Sequence, residues 1–319
     1  MIQTFPESDC LELTGLHIAS PQGFLAALGL LRLCTQDLGL NVRLSWSGSH
    51  ARLHGIDWPV LRTGMVRHMR GRSEAPEFTF PVTLENGSQA PVGRLNRIRP
   101  EDYRAAARSM RGNPRALAFL SAFATDAVVS RQGYAVCNRL DFSTGQQQFM
   151  PKLRHLADEL DPTREDFETR LRHALFGGPY EAQHSFGWDP VAVRRHAHEA
   201  EAPTHSAPPS QPFCIWLAIE SLPLHPVLPI GPDRAVTTGF SGEQYLWPQW
   251  SEPLTLEEVR LLRQRPISTL EKLEGVLAIW RSAIASSGRY DTLSTAVRSP
   301  GYRPIPWGFG RDGSTQAKC

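Results

Sequence analysis

Between Ser20 and Leu33 apolar side chains recur at 24, 25, 28 and 31, and most positions between them are apolar too. That pattern predicts a helix buried on nearly all sides. Ser20 suits the N-cap and Pro21 the first helical position. Gly29 inside this helix costs about 1 kcal/mol against alanine, so it predicts a neighbouring element passing close by. Residues 41–46 and 51–53 alternate like short strands, with Ser47-Gly48-Ser49 as the turn between them. A helix over 59–71 puts Val60, Leu61, Met65 and Met69 on one side, with Arg62, Arg67 and Arg70 off it. Residues 72–100, rich in proline and glycine, read as loop with a short strand or two. Helices over 100–111 and 114–126 start at Pro100 and Pro114. Arg131-Gln132-Gly133-Tyr134 leads to a short strand at 135–137. A helix over 144–160 carries Phe149, Leu153, Leu156 and Leu160 on its face, and another runs from Pro162 to Leu175.

Further on, residues 199–212 have the composition of a linker or surface loop. Phe213–Leu222 reads as a buried helix, after which Pro223, Pro226, Pro229 and Pro232 force an extended path. Two strands around Ser241-Gly242 are expected within 235–250. Thr255 with Glu258 forms a capping-box pattern for a helix to Gln264, a last helix is expected over 268–285, and an irregular tail follows Ser299. The expected class is α+β, with short antiparallel strands and buried helices in the amino-terminal half and a mainly helical carboxyl-terminal half. A domain over 1–200 followed by a helical region over 213–319 fits this layout, as does one continuous domain.

The chain has 319 residues and a net charge of +2, which argues against a polycationic or acidic-tail protein. No window approaches the ~20 apolar residues of a membrane span. The amino terminus lacks the pattern of a secretory signal. Five cysteines without a CxxC pair fit a reducing cytoplasm rather than a disulfide framework or zinc ribbon. Lysines stand only at 152, 272 and 318, so 31 of the 34 basic residues are arginines. Eleven of those arginines fall between Arg62 and Arg115 against five acids, a local charge of +6. Such an island is what a phosphate-binding surface looks like in sequence. It is equally what a solvated face of ordinary surface pairs looks like.

Catalytic signatures are sparse. GxSxG and the phosphate-binding GxxxxGK[ST] are absent, as is an adjacent His-Asp pair. His196 and His198, with His184 and Asp189, form the one constellation that could serve a metal-dependent nuclease, without a convincing spacing to complete it. What stands out is polar residues in apolar settings. Arg139-Leu140-Asp141-Phe142 runs through Gly145 to Gln146 and Gln147 at an expected helix start, where amides and free N–H groups can take a phosphate or base edge. Phe186-Gly187-Trp188-Asp189-Pro190 precedes Arg194-Arg195; Trp188 suits either base stacking or packing. Thr237-Thr238-Gly239-Phe240 leads to Trp247-Pro248-Gln249-Trp250.

These three patches, together with the helix from Ser20 to Leu31 and Leu217-Ala218-Ile219-Glu220-Ser221-Leu222-Pro223, resemble in kind and order the large-subunit-like and accessory proteins of type I CRISPR effectors, closest to the type I-G group, formerly I-U. The matching segments span roughly residues 11–265. The resemblance implies a non-catalytic, cytoplasmic subunit of an RNA-guided surveillance complex. Such a subunit contacts the guide RNA handle and double-stranded target DNA, reads the short flanking motif, and helps recruit the helicase-nuclease. Its partners are the guide RNA, the target duplex, the backbone and foot subunits and the helicase-nuclease. No membrane, metal or cofactor is expected. At 319 residues the chain is short for a large subunit.

On that reading the nucleic-acid contacts fall on Arg62, Arg67, Arg70 and Arg72, on the loop residues Arg94, Asn96, Arg97 and Arg99, and on Arg131, Gln146, Gln147, Arg194 and Arg195. Arginine in an irregular loop suits bidentate contact to guanine or insertion into a narrow minor groove. Besides the nuclease, a rival is a protein–protein adaptor that docks a partner through the aromatic segments 240–250 and 302–309.

Overall fold

The computed structural model describes residues 10–142, 148–182, 186–190, 209–287 and 290–299. β1 (Cys10–His17) leads into α1 (Pro21–Arg32), where the Ser20 hydroxyl accepts from the Gly23 N–H as an N-cap and every residue is buried. A π-helical turn, Leu33–Asp37, extends α1. β2 (Arg43–Ser47) and β3 (His50–His54) form a hairpin that pairs antiparallel with β1 in the order β1-β3-β2. Then come α2 (Trp58–Met69), the single turn α3 (Pro76–Thr79) and the hairpin β4 (Pro81–Thr83) with β5 (Gln89–Pro91). α4 (Pro100–Ser109) and α5 (Pro114–Phe123) precede a second hairpin, β6 (Ala124–Val129) with β7 (Ala135–Cys137). α6 (Phe149–Glu159), α7 (Phe167–Phe176) and the short pair β8 (Glu181–Ala182) and β9 (Pro209–Ser210) follow.

α8 (Pro212–Glu220) is buried at every position and packs along α1. A Cβ on Gly29 would lie 1.7 Å from the Leu217 carbonyl oxygen, so the glycine is what lets the two backbones approach. β10 (Val227–Pro229) and β11 (Ala235–Thr237) pair beyond the prolines. The rest is β12 (Phe240–Ser241), β13 (Gln244–Trp250), α9 (Leu256–Arg263), the single turn α10 (Ile267–Leu270), β14 (Val276–Ser287), β15 (Tyr290–Leu293) and β16 (Val297–Arg298). Thr255 and Glu258 form the anticipated capping box at α9.

The fold is α+β, with antiparallel strands in small sheets. Its carboxyl-terminal portion is not mainly helical. Four strands run β12-β13-β14-β15, and β16 adds to β14. The helix expected over 268–285 shrinks to one turn before β14. Residues 276–280 are a short apolar run whose period does not separate helix from strand. Pairing decides it: Tyr245 to Trp250 need a hydrogen-bonding partner, and β14 supplies it in the register Trp247↔Trp280. Two smaller departures have local causes. Val60 sits in the first turn of α2 and is 46% exposed, while Leu61, Met65 and Met69 are buried. α7 begins at Phe167 rather than Pro162, because Asp161 Oδ1 accepts from the Thr163 N–H (2.9 Å) and hydroxyl (2.6 Å), closing a turn instead of a helix.

Among the described residues a small second cluster gathers Leu270, Val276 and Ile279, and the main apolar core runs from Leu13 to Ala296. The β13 aromatics bind it to the amino-terminal sheet: Trp247 Nε1 donates to the Ile18 carbonyl (2.9 Å) and Trp250 Nε1 to that of Leu44 (2.8 Å). Phe24 lies between them, with ring centroids 5.6 Å from Trp247 and 6.4 Å from Trp250.

Candidate nucleic-acid interface

The irregular stretch after β5 is shaped by two buried anchors three residues apart, Leu95 and Ile98. With these turned inward, Asn96 and Arg97 are exposed and Arg94 and Arg99 half-buried. The Ile98 carbonyl accepts from the Ala135 N–H (2.9 Å), which brings the β6–β7 turn and Tyr134 alongside. Asp102, buried in the first turn of α4, accepts from the Thr83 N–H (3.0 Å) and hydroxyl (2.8 Å) and so fixes the β4–β5 hairpin on the other side.

The result is a groove of about 590 Å³. Val82 to Asn86, Ala90 and Pro91 of the hairpin form one wall, and Arg94, Arg97, Arg99, Tyr134 and Gln148 line the rest. Its charged lining is three arginines against Glu85. The Arg97 guanidinium lies over the Tyr134 ring, 5.2 Å from its centroid, and donates to the Tyr134 hydroxyl at 3.1 Å. Its contact with Glu85 is a loose 3.6 Å pair at an 87% exposed carboxylate. The hydrogen bond to Tyr134, helped by Glu85, raises the Arg97 pKa further, so the side chain stays cationic. Arg94 and Arg99 make no ion pair among the described residues. Free guanidinium groups beside an aromatic ring can hold phosphate oxygens and stack bases.

The remaining arginines divide into two sets. Arg67, Arg70 and Arg131 are exposed and do not line the groove. Arg62 is exposed but paired with Glu168. Arg72 turns inward: it pairs with the buried Glu77 and lies over Phe78, so its guanidinium is committed inside the protein. Arg115 goes deeper, donating to Asp37, Glu77 and Glu220. The +6 island is therefore part surface and part internal counter-charge. Gln146, Gln147, Arg194 and Arg195 lie outside the described residues, as do His184, His196, His198 and the segment 302–309.

The internal network is the feature that sequence reasoning passed over. Glu220, fully buried at the end of α8, accepts from Arg32, Arg115 and His68. Arg32 also donates to Asp37 (2.9 Å) and to the Glu220 carbonyl (2.6 Å). Burial alone would push the Glu220 carboxyl up, but Arg115, His68 and Arg32 hold it well below the usual carboxylate range. Burial pulls the His68 imidazole below its ordinary value; Glu220 opposes that, while Arg115 and Arg72 add to it. The signal was present in sequence: Arg32 and Glu220 are lone charges ending otherwise apolar helices.

Asp37, His68 and Glu220 place ligand-type atoms within 4.8 Å of one another. Both carboxylates are already neutralised by Arg32 and Arg115. Two guanidiniums in contact make the pocket repulsive to a divalent cation, and the set reads as an ion network rather than a metal centre.

The aromatic segment 240–250 is no open docking surface, since Tyr245, Trp247 and Trp250 are core residues. Trp188 is fully buried and donates to the Leu140 carbonyl (2.9 Å), so it packs rather than stacks on a base. The Cys137 thiol is packed as well, and burial pushes its pKa up to about 12. Among the described residues no helix is long and apolar enough to cross a membrane. Neither protein-family models nor curated proteins match the chain.

Proposed function

We propose that this chain is a non-catalytic, nucleic-acid-contacting subunit of a type I CRISPR RNA-guided surveillance complex in the cytoplasm. It contacts guide RNA and target DNA, takes part in reading the flanking motif, and helps recruit the helicase-nuclease. One observation carries the reading: Arg94, Arg97, Arg99 and Tyr134 converge on a single groove in which two of the three guanidiniums, those of Arg94 and Arg99, make no ion pair among the described residues. An arginine-lined concavity beside an aromatic ring suits a polyanion whose bases stack. The ordered sequence resemblance supplies the CRISPR setting. The metal-nuclease alternative draws no support from the Asp37–His68–Glu220 cluster, which is neutralised from within.

The test is co-expression of the full chain with a guide RNA and the backbone subunits of a type I-G complex. Affinity purification through the chain is expected to recover guide RNA and backbone protein together. Purification free of both, from cells in which the complex otherwise assembles, would overturn the proposal.

A further inference from the structure

We infer that the Arg94–Arg97–Arg99 groove receives one unstacked nucleotide of a single strand, rather than the side of a duplex. This rests on the nucleic-acid reading above and adds the form of ligand.

Shape argues for it first. At about 590 Å³ the groove is a concavity of the size that takes one small-molecule-sized unit. A duplex presents a broad convex face, with a major groove alone about 12 Å wide, and meets such a hollow only at its rim. An unpaired nucleotide can be splayed out, stacked on an aromatic or guanidinium plane and read on its base edge. Each of those contacts has a counterpart here. Tyr134, with Arg97 laid over it, offers the stacking plane. Arg94 and Arg99, without ion pairs among the described residues, offer cations for the flanking phosphates. For the base edge, Asn86 Oδ1 is occupied by the Ser88 N–H (3.0 Å) and hydroxyl (2.7 Å), which leaves the Asn86 amide N–H groups to meet an acceptor. Leu84, 42% exposed on the hairpin, gives the groove an apolar wall that a base can cover.

RNA and DNA share this chemistry, so separate probes distinguish the two. The full chain is titrated by fluorescence anisotropy, at several salt concentrations, with a labelled single-stranded DNA, the same sequence as RNA, and the blunt DNA duplex. Single strands are expected to bind more tightly than the duplex. Tyr134→Ala should weaken single-strand binding about fivefold or more, the scale of one lost base stack, and leave the duplex unchanged. Tyr134→Phe should retain it. A 5-iodouracil in the single strand should photo-crosslink to the peptide containing Tyr134 in the unaltered protein, a readout independent of how any variant folds. Preference between the DNA and RNA strands identifies the source. Equal binding of duplex and single strand, with the cross-link elsewhere, would overturn the inference while leaving the nucleic-acid reading intact. Binding to none of the probes would overturn both.

Discussion

Replacing Glu220 by glutamine removes one negative charge and almost no volume. In the folded protein Glu220 is fully buried, and its two oxygens take hydrogen bonds from His68 at 3.0 Å, from Arg115 at 2.8 and 3.0 Å, and from Arg32. Arg32 is 1% exposed and Arg115 17% exposed at the side chain. Asp37 and Glu77 cannot neutralise three guanidiniums, so the substitution strands a positive charge in the core. Breaking a buried pair on one side costs about 3–5 kcal/mol. Against a total stability of about 5–15 kcal/mol, that is a large fraction. The assay is thermal unfolding at neutral pH followed by circular dichroism, and the expected drop in Tm is about 5–8 °C. Arg104→Gln, which breaks the more exposed pair with Asp126, serves as the control and should cost under about 1 kcal/mol. If Glu220→Gln cost no more than that control, the network would not be the buried counter-charge described above.

Three further outcomes are expected. Gly29→Ala should destabilise by about 1–3 kcal/mol or more through its clash with the Leu217 carbonyl, reversing the gain of about 1 kcal/mol that alanine brings to an open helix; urea titration reads the sign. Thr255→Ala should cost about 1 kcal/mol by removing the α9 cap, measured the same way. His68 and His225 both have folded pKa values below the ordinary one, burial being the chief cause, so their contribution is present above pH ~6.5 and is lost as pH falls toward their folded values. Tm should accordingly fall between pH 7.5 and 5.5, and His68→Gln should flatten that slope.

The parts of the fold written in local signals were legible from the chain. Ser20-Pro21 announced α1, Thr255 with Glu258 announced α9, and Gly29 announced a close neighbour, although not that the neighbour was α8. The loop arginines at 94, 97 and 99 could be singled out because they stand in a segment of weak periodicity. Tyr134 could not be added to them, since the bond from Ala135 to Ile98 that delivers it is tertiary. Strand β14 stands where the pattern predicts a helix, because its apolar run over 276–280 fits either element until β13 is placed beside it. The fate of Arg72 and Arg115 was hidden for the same reason. Arg115 meets Asp37 and Glu220 from 78 and 105 residues away, and charge counted along a chain does not register partners at that distance.

The claim that the groove grips a polyanion is tested most directly by the salt dependence of single-strand binding to the assembled complex, with and without the triple substitution Arg94→Ala, Arg97→Ala and Arg99→Ala. Each lost phosphate contact should reduce the steepness of log affinity against log salt by about 0.7. With Arg94 and Arg99 on phosphates, the triple variant should therefore bind more weakly, with a slope shallower by roughly 1.4. An unchanged slope and affinity in a folded, assembled variant would contradict the account.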